Sequence, residues 1–479
     1  MKSFFTLLML CFSFVLTAQT PTNSDIIKNS LKKKHQMMKS SLVKNVSFTN
    51  IGPTVMSGRV ADVAVNPNNT AEFYVGYASG GLWYTNNNGT TFTPVLDNSP
   101  TQNIGDIAVD WASGTIWVGT GEKNSSRSSY AGIGMLKSTD NGETWINVGL
   151  LDSHHVSRIL INPNNTDEVI VGVIGHLYSS NLERGIFKTI NSGETWTKTL
   201  FISENTGVID VAVAPENFNI MYAASWERER KAWNFDGDGN SSSIYKSIDA
   251  GNSWTKIADK SGFPTGDGVG RIGLAVFNEN TVYALHDSQF RRPKDEAKKA
   301  SDDLSKEDFK TMSSADFLNL GDKKLNTYLK DNGFQEKYRA ENVKQMLRVG
   351  SLKPIDLAKY LEDANAMLFD TQVIGAEVFK TTNGGTSWKK THDNFLDGVY
   401  SSYGYYFGEI RVDPQDENGI YVLGVPIIKS KDGGKTFISI SKENVHSDHQ
   451  ALWINPTKSG HILNGNDGGL NLSYDDGKN

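Results

Sequence analysis

One turn motif recurs along the chain and limits the folds that the chain can adopt. The motif is Ser or Thr, any residue, Asp or Asn, any residue, Gly, two residues, and then Trp or Phe. Six copies are complete, and a seventh begins at Ser473 and reaches the last residue without its aromatic. Successive copies lie 43 to 58 residues apart, except for one interval of 134 residues. Repeats of this length are typical of propeller blades or solenoids.

The motif predicts a tight hairpin turn rather than a reactive site. Its Gly supports a positive φ, and its hydroxyl and its acid or amide accept hydrogen bonds from turn amides. We expect its aromatic side chain to pack between neighbouring sheets. The acid or amide positions to which we assign this structural role are Asn87, Asp140, Asn191, Asp249, Asn383, Asp432 and Asp475.

Each repeat also contains short apolar strands separated by Gly, Asn and Pro. Residues 62–67 (DVAVNP) and 158–163 (RILINP) each combine a strand with an Asn-Pro turn. Four such strands per repeat predict an all-β chain, a β-propeller of four-stranded blades with at least seven blades begun. The blades occupy residues 46–290 and 371–479. The alternation of side chains with a period of two excludes an all-helical solenoid.

The long interval contains an insertion of different composition. Residues 291–370 hold 16 Lys or Arg and 15 Asp or Glu, or about 39% charged residues against 21% for the whole chain. Ser314 resembles a helix cap, and Gly333 and Gly350 follow helical patterns as expected of helix ends. We predict a small α-helical bundle inserted between two strands of the fifth blade. We interpret this bundle as a rigid extension of a loop. The alternatives are a lid or a surface on which a partner docks.

Both ends of the chain carry signals of their own. Residues 1–18 predict a signal peptide, because Lys2 precedes an apolar stretch that ends in small residues. Residues 19–45 are polar and rich in Lys, as in a loose leader or a short surface helix. The seventh repeat lacks its outer strand. Either residues 46–52 supply that strand, or the chain is part of a longer protein, which the interrupted motif favours.

Composition excludes several classes of protein. The only cysteine, Cys11, lies within the predicted signal peptide, so disulfide scaffolds and Cys-based metal sites are excluded. The net charge of −6 argues against a nucleic-acid partner. We expect export to the periplasm, the cell surface or the medium, with no integral membrane segment after cleavage. The sequence does not predict an oligomeric state.

The turn motif is the Asp-box, and the chain resembles bacterial Asp-box (BNR) repeat propellers described as glycosyl-hydrolase-like, akin to the N-terminal propeller of sortilins. The resemblance implies a β-propeller that binds a peptide or a glycan, with glycoside hydrolysis as the alternative. The stretches that carry it include residues 153–159 (SHHVSRI), 175–185 (GHLYSSNLERG), 226–233 (WERERKAW) and 446–453 (HSDHQALW).

The unusual polar and aromatic residues concentrate on one face of the predicted ring. They lie in loops from the second to the third strand of a blade and from the fourth strand to the next blade. Because strands alternate in direction, these loops emerge opposite the Asp-boxes, and we expect a site for an extracellular peptide or polysaccharide there. The predicted ligand-binding residues are His154, His155, Arg158, His176, Arg184, Trp226, Arg228, Trp233, Tyr405, Tyr406, His446 and His449.

The hydrolase alternative requires two carboxylates on this face. The segment 77–81 (YASGG) lacks the Asp that xyloglucan-hydrolysing propellers are expected to carry before Gly-Gly. Arg59 is followed by Val-Ala-Asp, so the arginine motif of sialidases is also missing. The candidate catalytic carboxylates are Glu183, Glu227, Glu409, Asp448 and Asp467.

One short segment resembles the start of a calcium loop. Asp236, Asp238 and Asn240 have the required spacing, but Ser241 replaces the usual Gly and Ser247 replaces the usual Glu. An ordinary polar turn is the alternative interpretation. Calcium is the only cofactor that the sequence suggests. The histidine pairs of the loops are also able to bind a metal, against the alternative that they form hydrogen bonds within the loops.

Overall fold

The computed structural model describes residues 21–46, 58–127, 129–231, 234–292, 304–361, 373–400 and 403–479. The predicted signal peptide lies outside these ranges. Seven antiparallel sheets follow one another along the chain. The inner strand of each sheet contacts the inner strand of the next, and the last sheet contacts the first. The chain is therefore a seven-bladed β-propeller, and the predicted fold class is confirmed.

The first four blades are four-stranded. Blade 1 comprises β1 Val60–Val65, β2 Phe73–Tyr77, β3 Gly81–Thr85 and β4 Thr93–Pro94. Blade 2 comprises β5 Ile104–Asp110, β6 Thr115–Thr120, β7 Met135–Ser138 and β8 Ile146–Asn147. Blade 3 comprises β9 Val156–Ile161, β10 Val169–Val173, β11 Gly185–Thr189 and β12 Thr197–Leu200. Blade 4 comprises β13 Thr206–Ala214, β14 Asn217–Glu227, β17 Ser243–Ser247 and β18 Thr255–Lys256, with a hairpin of β15 Glu229–Arg230 and β16 Phe235–Asp236 in its long loop.

The remaining blades complete the ring. Blade 5 comprises β19 Val269–Val276, β20 Val282–Arg291, β21 Val373–Thr381 and β22 Lys389–Lys390. Blade 6 comprises β23 Glu409–Asp413, β24 Asp416–Leu423, β25 Ile427–Ser430 and β26 Ile438–Ser439. Blade 7 has three strands within the described residues, β27 His449–Ile454, β28 Ile462–Asn466 and β29 Gly469–Ser473. The proposal that residues 46–52 add its fourth strand falls, apart from Val46, outside the described ranges.

The described residues contain six helices, which lie in two regions of the chain. Helix α1, Ser24–Ser40, buries none of its residues, as expected of a short surface helix. Helices α2 Lys306–Thr311, α3 Ser314–Asn319, α4 Asp322–Asp331, α5 Ala340–Arg348 and α6 Pro354–Leu361 occur between the second and third strands of blade 5. They share a core that includes Phe309, Phe317 and Leu329. None of the described helices has the length and the hydropathy required to cross a bilayer.

The cap of helix α3 lies one residue before the predicted position. Ser313, rather than Ser314, precedes the helix, and its side chain accepts a hydrogen bond from the amide of Asp316. Gly333 and Gly350 follow α4 and α5 with φ of 71° and 74°. These positive values are unfavourable for other residues, and they explain why Gly follows both helices.

The repeated turn forms the same hydrogen bonds in every copy. In blade 2, the Asp140 carboxylate accepts hydrogen bonds from the Ser138 hydroxyl at 2.7 Å and from the Thr144 amide at 2.9 Å. The Ser138 hydroxyl in turn accepts from the Gly142 amide at 2.8 Å. These bonds hold the pKa of Asp140 down at about 2. The side chain thus satisfies turn amides, as a structural role requires.

In blades 2 and 3, the aromatic residue of the turn connects the blade to the one before it. The indole of Trp145 donates to the Val95 carbonyl at 2.7 Å, and that of Trp196 donates to the Val148 carbonyl at 2.7 Å. Inner strands are joined as well. The Asp106 carboxylate of blade 2 accepts from the Ile159 amide of blade 3 at 2.7 Å. Neighbouring blades are therefore coupled at the rim and at the centre.

We predict that Trp196→Phe lowers the free energy of unfolding by about 1 kcal/mol, because it removes one hydrogen bond between blades and keeps most of the ring packing. Trp196→Ala should cost several times more, since the ring packs edge-to-face against Trp117 with centroids 6.3 Å apart. Urea unfolding of the two variants and the wild type measures both effects. Equal losses would contradict the role of the aromatic ring as an inter-blade contact.

Candidate functional site

A loop of the second blade fills the channel mouth on the face opposite the repeated turns. The ammonium group of Lys123 is almost fully buried and lies 3.2 Å from the Glu409 carboxylate of blade 6. The adjacent Asn124 side chain donates to Gln450 of blade 7 at 2.7 Å. It also accepts a hydrogen bond from Arg271 of blade 5 at 2.7 Å. This single loop therefore contacts the inner strands of three other blades and closes the centre of the ring.

Arg158 joins carboxylates from three other blades beneath this loop. Its guanidinium lies 3.2 Å from Asp106, 3.0 Å from Asp210 and 3.3 Å from Glu409. Sequence reasoning assigned Arg158 to ligand binding and Glu409 to catalysis. In the structure, the two side chains instead form an ion pair with each other inside the channel. Their positions on the inner strands β9 and β23, rather than in the loops, explain the difference.

The buried charges shift each other's pKa values in opposite directions. Burial and the nearby Asp62 raise the pKa of Asp106 to about 7, although Arg158 and Lys123 act against this shift. Burial alone would also raise the pKa of Glu409, but the charges of Lys123, Arg411 and Arg158 hold it well below its usual value. Glu409 is therefore ionised at neutral pH, and it cannot serve as a general acid.

Blade 3 brings two of the predicted histidines together with an aspartate. The imidazoles of His154 and His176 stack with centroids 3.6 Å apart, and His176 Nε2 lies 3.2 Å from the Asp152 carboxylate. The other ring nitrogen of His176 is 2.8 Å from the Ser179 hydroxyl. Burial, reinforced by His176, lowers the pKa of His154 to about 4. Both rings are therefore neutral at pH 7.

This histidine cluster has ligand types that suit a metal, but its rings are badly oriented for one. The candidate ligand atoms of Asp152, His154 and His176 lie within 4.8 Å of one another. The two imidazole planes are inclined by only 22°, so their in-plane lone pairs run side by side instead of converging. His155 points elsewhere, and its Nδ1 lies 2.9 Å from the Glu122 carbonyl. Hydrogen bonding within the loops is the arrangement that the structure displays.

Two buried arginines, Arg184 and Arg228, lie next to the histidines, and a third, Arg230, is close to Arg228. Arg184 donates to Asn181 and to the carbonyl of His176, at 3.0 and 2.8 Å. Arg228 donates to the Gly175 carbonyl at 3.0 Å, and Arg230 donates to the Ser125 carbonyl at 2.7 Å. Several other N–H groups of these three guanidinium ions are buried without a hydrogen-bond partner among the described residues. Some of the buried donors on the loop-rich face therefore lack an acceptor among the described residues.

The predicted aromatic residues differ in their surroundings. Trp226 is completely buried, and its indole donates to the Gly237 carbonyl at 2.7 Å. Trp226 therefore packs beneath the long loop of blade 4 and presents no ring surface to solvent. Tyr405 is half-buried and meets Phe235 at 4.8 Å between ring centroids. Tyr406 is also half-buried, and Trp233 lies outside the described residues.

The remaining candidate carboxylates fall into two groups. Glu183 accepts a hydrogen bond from the Asp152 amide at 2.8 Å, and Glu227 accepts one from the Ser241 amide at 2.9 Å. These two residues support their loops. Burial and the charge of Asp448 raise the pKa of Asp467 to about 6, and one oxygen of Asp467 is buried without a hydrogen-bond partner. Burial also raises the pKa of Asp448.

The calcium candidates lie in and after the hairpin of blade 4. Asp236 accepts two hydrogen bonds from Asn234, and Asn240 donates to Asp267. Burial and the charges of Asp236 and Asp267 raise the pKa of Asp238 to about 6. Carboxylates gather here, but calcium binding by Asp236, Asp238 and Asn240 stays a prediction.

The two histidines of blade 7 do not act as a pair. His446 is exposed, and its Nδ1 lies 2.8 Å from the carbonyl of Ser447. His449 is buried in β27, where its Nδ1 lies 3.1 Å from the Asn464 side chain. Burial lowers the pKa of His449 to about 4. Of these two histidines, only His446 is exposed to solvent.

Sequence reasoning missed three residues that shape the face, namely Lys123, Asp152 and Arg271. Lys123 and Arg271 had no signal in the sequence, because their partners belong to blades that are distant in the chain. Asp152 lies in the loop that leads from blade 2 to blade 3. It contacts His176 because a loop of blade 3 packs against it.

Comparisons with known proteins agree with the fold. No family model and no curated protein sequence matches the chain. A GH74 xyloglucanase from Xanthomonas campestris is 14% identical with a TM-score of 0.53, over 88% of this chain and 53% of that chain. An ancestral GH74 enzyme is 15% identical with a TM-score of 0.53, over 88% and 46%. YCF48 bound to D1 peptide is 11% identical with a TM-score of 0.45, over 88% and 94%.

These similarities define a class of protein by architecture. The chain is a seven-bladed β-propeller with a fold like that of GH74 enzymes. It spans about half the length of the GH74 enzymes that it matches. Since one propeller architecture supports many activities, the function must be argued from the loop-rich face itself.

We predict that Arg158→Met lowers the free energy of unfolding by about 3–5 kcal/mol at pH 8, because it leaves Asp106, Asp210 and Glu409 without their shared cation. Because Arg158 lowers the pKa values of Asp106 and Glu409, both should rise in the variant, so that these carboxyls gain protons more readily and the loss shrinks at pH 5. Chemical unfolding at both pH values measures the difference.

Arg292→Met is the matched control for this prediction. Its guanidinium pairs with Asp397, whose side chain is 72% exposed. The Arg292 guanidinium also donates to the carbonyls of Val373 and Ile374, so the ion pair of about 0–1 kcal/mol and these bonds together should contribute less than the charges around Arg158. A loss for Arg158→Met that is no larger than for Arg292→Met, or one that is larger at pH 5 than at pH 8, would contradict the proposed charge balance.

Proposed function

We propose that this chain is an exported ligand-binding propeller, which binds a peptide or a glycan on the loop-rich face opposite the repeated turns. Export rests on the predicted signal peptide. The site rests on the position of the loops that carry the unusual residues, since they meet where side chains from several blades converge. Placement in the periplasm, at the cell surface or in the medium is part of the same proposal.

One observation carries the binding function. Exposed aromatic and cationic side chains lie on neighbouring loops of blades 2 and 3, and Tyr178 and Arg127 are close to the buried Arg230. Tyr130 and Tyr178 are about half exposed, and the Tyr178 hydroxyl donates to the Arg127 carbonyl at 3.2 Å. Arg127 itself is exposed. Tyrosine rings beside a cation supply the stacking and polar contacts that peptide and sugar ligands both use.

The carboxylates of the same region favour binding over bond cleavage. Glu122 is held by Arg59 at 2.6 Å, and Glu409 lies in the channel among several cations. Glu183 and Glu227 accept hydrogen bonds from loop amides. Carboxylates that are held in this way keep the loops in place. They are not free to act as the acid and the nucleophile or base of a glycosidase.

We predict that Tyr178→Ala weakens ligand binding at least tenfold, because it removes an exposed ring from these loops. The probes are a glycan array and an array of unstructured peptides, each screened with the chain from residue 19 onward. The affinity of the best ligand is then measured by calorimetry for each variant.

The chain offers a matched control on the opposite face of the same blade. Ile190 is 70% exposed in the repeated turn of blade 3, so Ile190→Ala should leave the affinity unchanged. Absence of binding on both arrays, or equal losses for Tyr178→Ala and Ile190→Ala, would contradict a site on the loop-rich face.

A glycoside hydrolase is the second candidate function, and one pair of residues favours it. Asp467 and Asp448 interact through their charges in blade 7, and the raised pKa of about 6 suits Asp467 to a general acid. The likeness to GH74 xyloglucanases makes xyloglucan oligosaccharides the first substrates to test.

If this second candidate is right, Asp467→Asn should abolish the release of reducing sugar, whereas Asp476→Asn should retain it. Asp476 also belongs to blade 7 but pairs with Lys429 at 2.6 Å near the repeated turn. The wild-type rate should fall above pH 6, as Asp467 loses its proton. Wild-type protein that releases no sugar from a panel of β-glucans and xyloglucan would rule out the candidate.

A further inference from the structure

The propeller contains two groups of buried cations with opposite surroundings. In the channel, Arg158 and Lys123 are paired with carboxylates of three blades at 3.0 to 3.6 Å. On the loop-rich face, Arg184, Arg228 and Arg230 are between 1% and 5% exposed. The charged side chain groups that act most strongly on Arg228 are other arginines. The arginines of the loop-rich face thus lack the carboxylate partners that neutralise Arg158 and Lys123 in the channel.

The donors of this second group are only partly used. Arg228 donates to one carbonyl, and its Nε and Nη1 groups are buried without an acceptor among the described residues. Arg184 Nη1 and Arg230 Nε are also buried without an acceptor among the described residues. Each buried donor without a partner carries a desolvation cost, and this cost is larger when the donor is charged. Three neighbouring guanidinium ions with such donors form an arrangement that an anion would stabilise.

Rings and carbonyls satisfy part of this charge. The Arg230 guanidinium lies 4.0 Å from the centroid of Phe235, and that of Arg228 lies 5.5 Å from the centroid of Trp226. These contacts attract a cation but accept no hydrogen bond in the guanidinium plane. Burial and the mutual repulsion of the arginines lower the pKa of Arg228, which shows that its charge is held against an electrostatic cost. A partner with negative charge is missing from the described residues around it.

We propose that Arg184, Arg228 and Arg230 form a binding subsite for an oxyanion, a phosphate, sulfate or carboxylate group carried by the ligand of the loop-rich face. The identity of this ligand rests on the proposed function, whereas the subsite itself rests on the buried donors. Guanidinium groups suit such a partner because their planar N–H forks match two oxygens at once. A bound anion gives these three arginines the negatively charged partner that the carboxylates of the channel give Arg158.

The first experiment measures the melting temperature of the full chain with sodium phosphate, sodium sulfate or sodium acetate, against sodium chloride of equal ionic strength. At least one oxyanion should raise the melting temperature in a saturable way, since a ligand of the folded state stabilises it by mass action. The preferred anion then separates tetrahedral phosphate or sulfate groups from planar carboxylates. A wild-type melting temperature that is equal in all four salts would overturn the proposal.

The second experiment removes the central cation. Arg228→Met should weaken the binding of the preferred anion at least tenfold by calorimetry. In chloride it should melt no lower than the wild type, because a buried charge without a partner is replaced by an apolar side chain. Arg348→Met, at an exposed site of helix α5, is the matched control and should bind the anion like the wild type.

Two further results keep the inference separate from folding defects and from the proposed function. If Arg228→Met does not fold, Arg184→Gln takes its place, and unchanged anion affinity in that variant would overturn the subsite. Unchanged affinity in Arg228→Met would overturn it as well. Binding of the free anion without any hit on the peptide and glycan arrays would leave the subsite standing and remove the proposed function alone.

Discussion

The arrangement of the blades depends on one network of buried ion pairs at the centre of the ring. Arg158 and Lys123 share Asp106, Asp210 and Glu409, so a single group of ions joins four of the seven blades. Outside this centre, blades are joined by apolar packing and by the indole hydrogen bonds of the repeated turns. Ions in a low-dielectric interior tolerate little displacement, because each must keep its partners. The centre therefore fixes the position of the loops that surround the channel mouth.

The fold was predictable because each blade repeats the same local chemistry. The turn motif, exemplified by Asp140 and Trp145, marks a hairpin in every copy, and the strand order follows from counting strands between copies. The face of each loop was predictable for the same reason. Periodic patterns and turns act within about 50 residues, which is the range that sequence reasoning covers well.

The site was less predictable, because its contacts join residues that are far apart in the chain. Arg158 and Glu409 are separated by 251 positions, and nothing local shows that they meet inside the channel. Tryptophan is common in binding sites, but Trp226 is fully buried, like a residue of the core. Histidines 154 and 176 were correctly placed on one face, whereas the ring stacking that opposes metal binding depends on side-chain rotation.

The insertion in blade 5 begins and ends on paired strands. Arg291 in β20 lies opposite Val373 in β21, so the chain leaves the sheet and returns to it at adjacent positions. The helices, with their own apolar core, thus occupy the place of an enlarged hairpin loop. This geometry makes the segment a suitable site for the insertion of another domain. A domain of unrelated shape could be exchanged there during evolution or by engineering, because the only condition that the sheet sets is the short separation of the two ends.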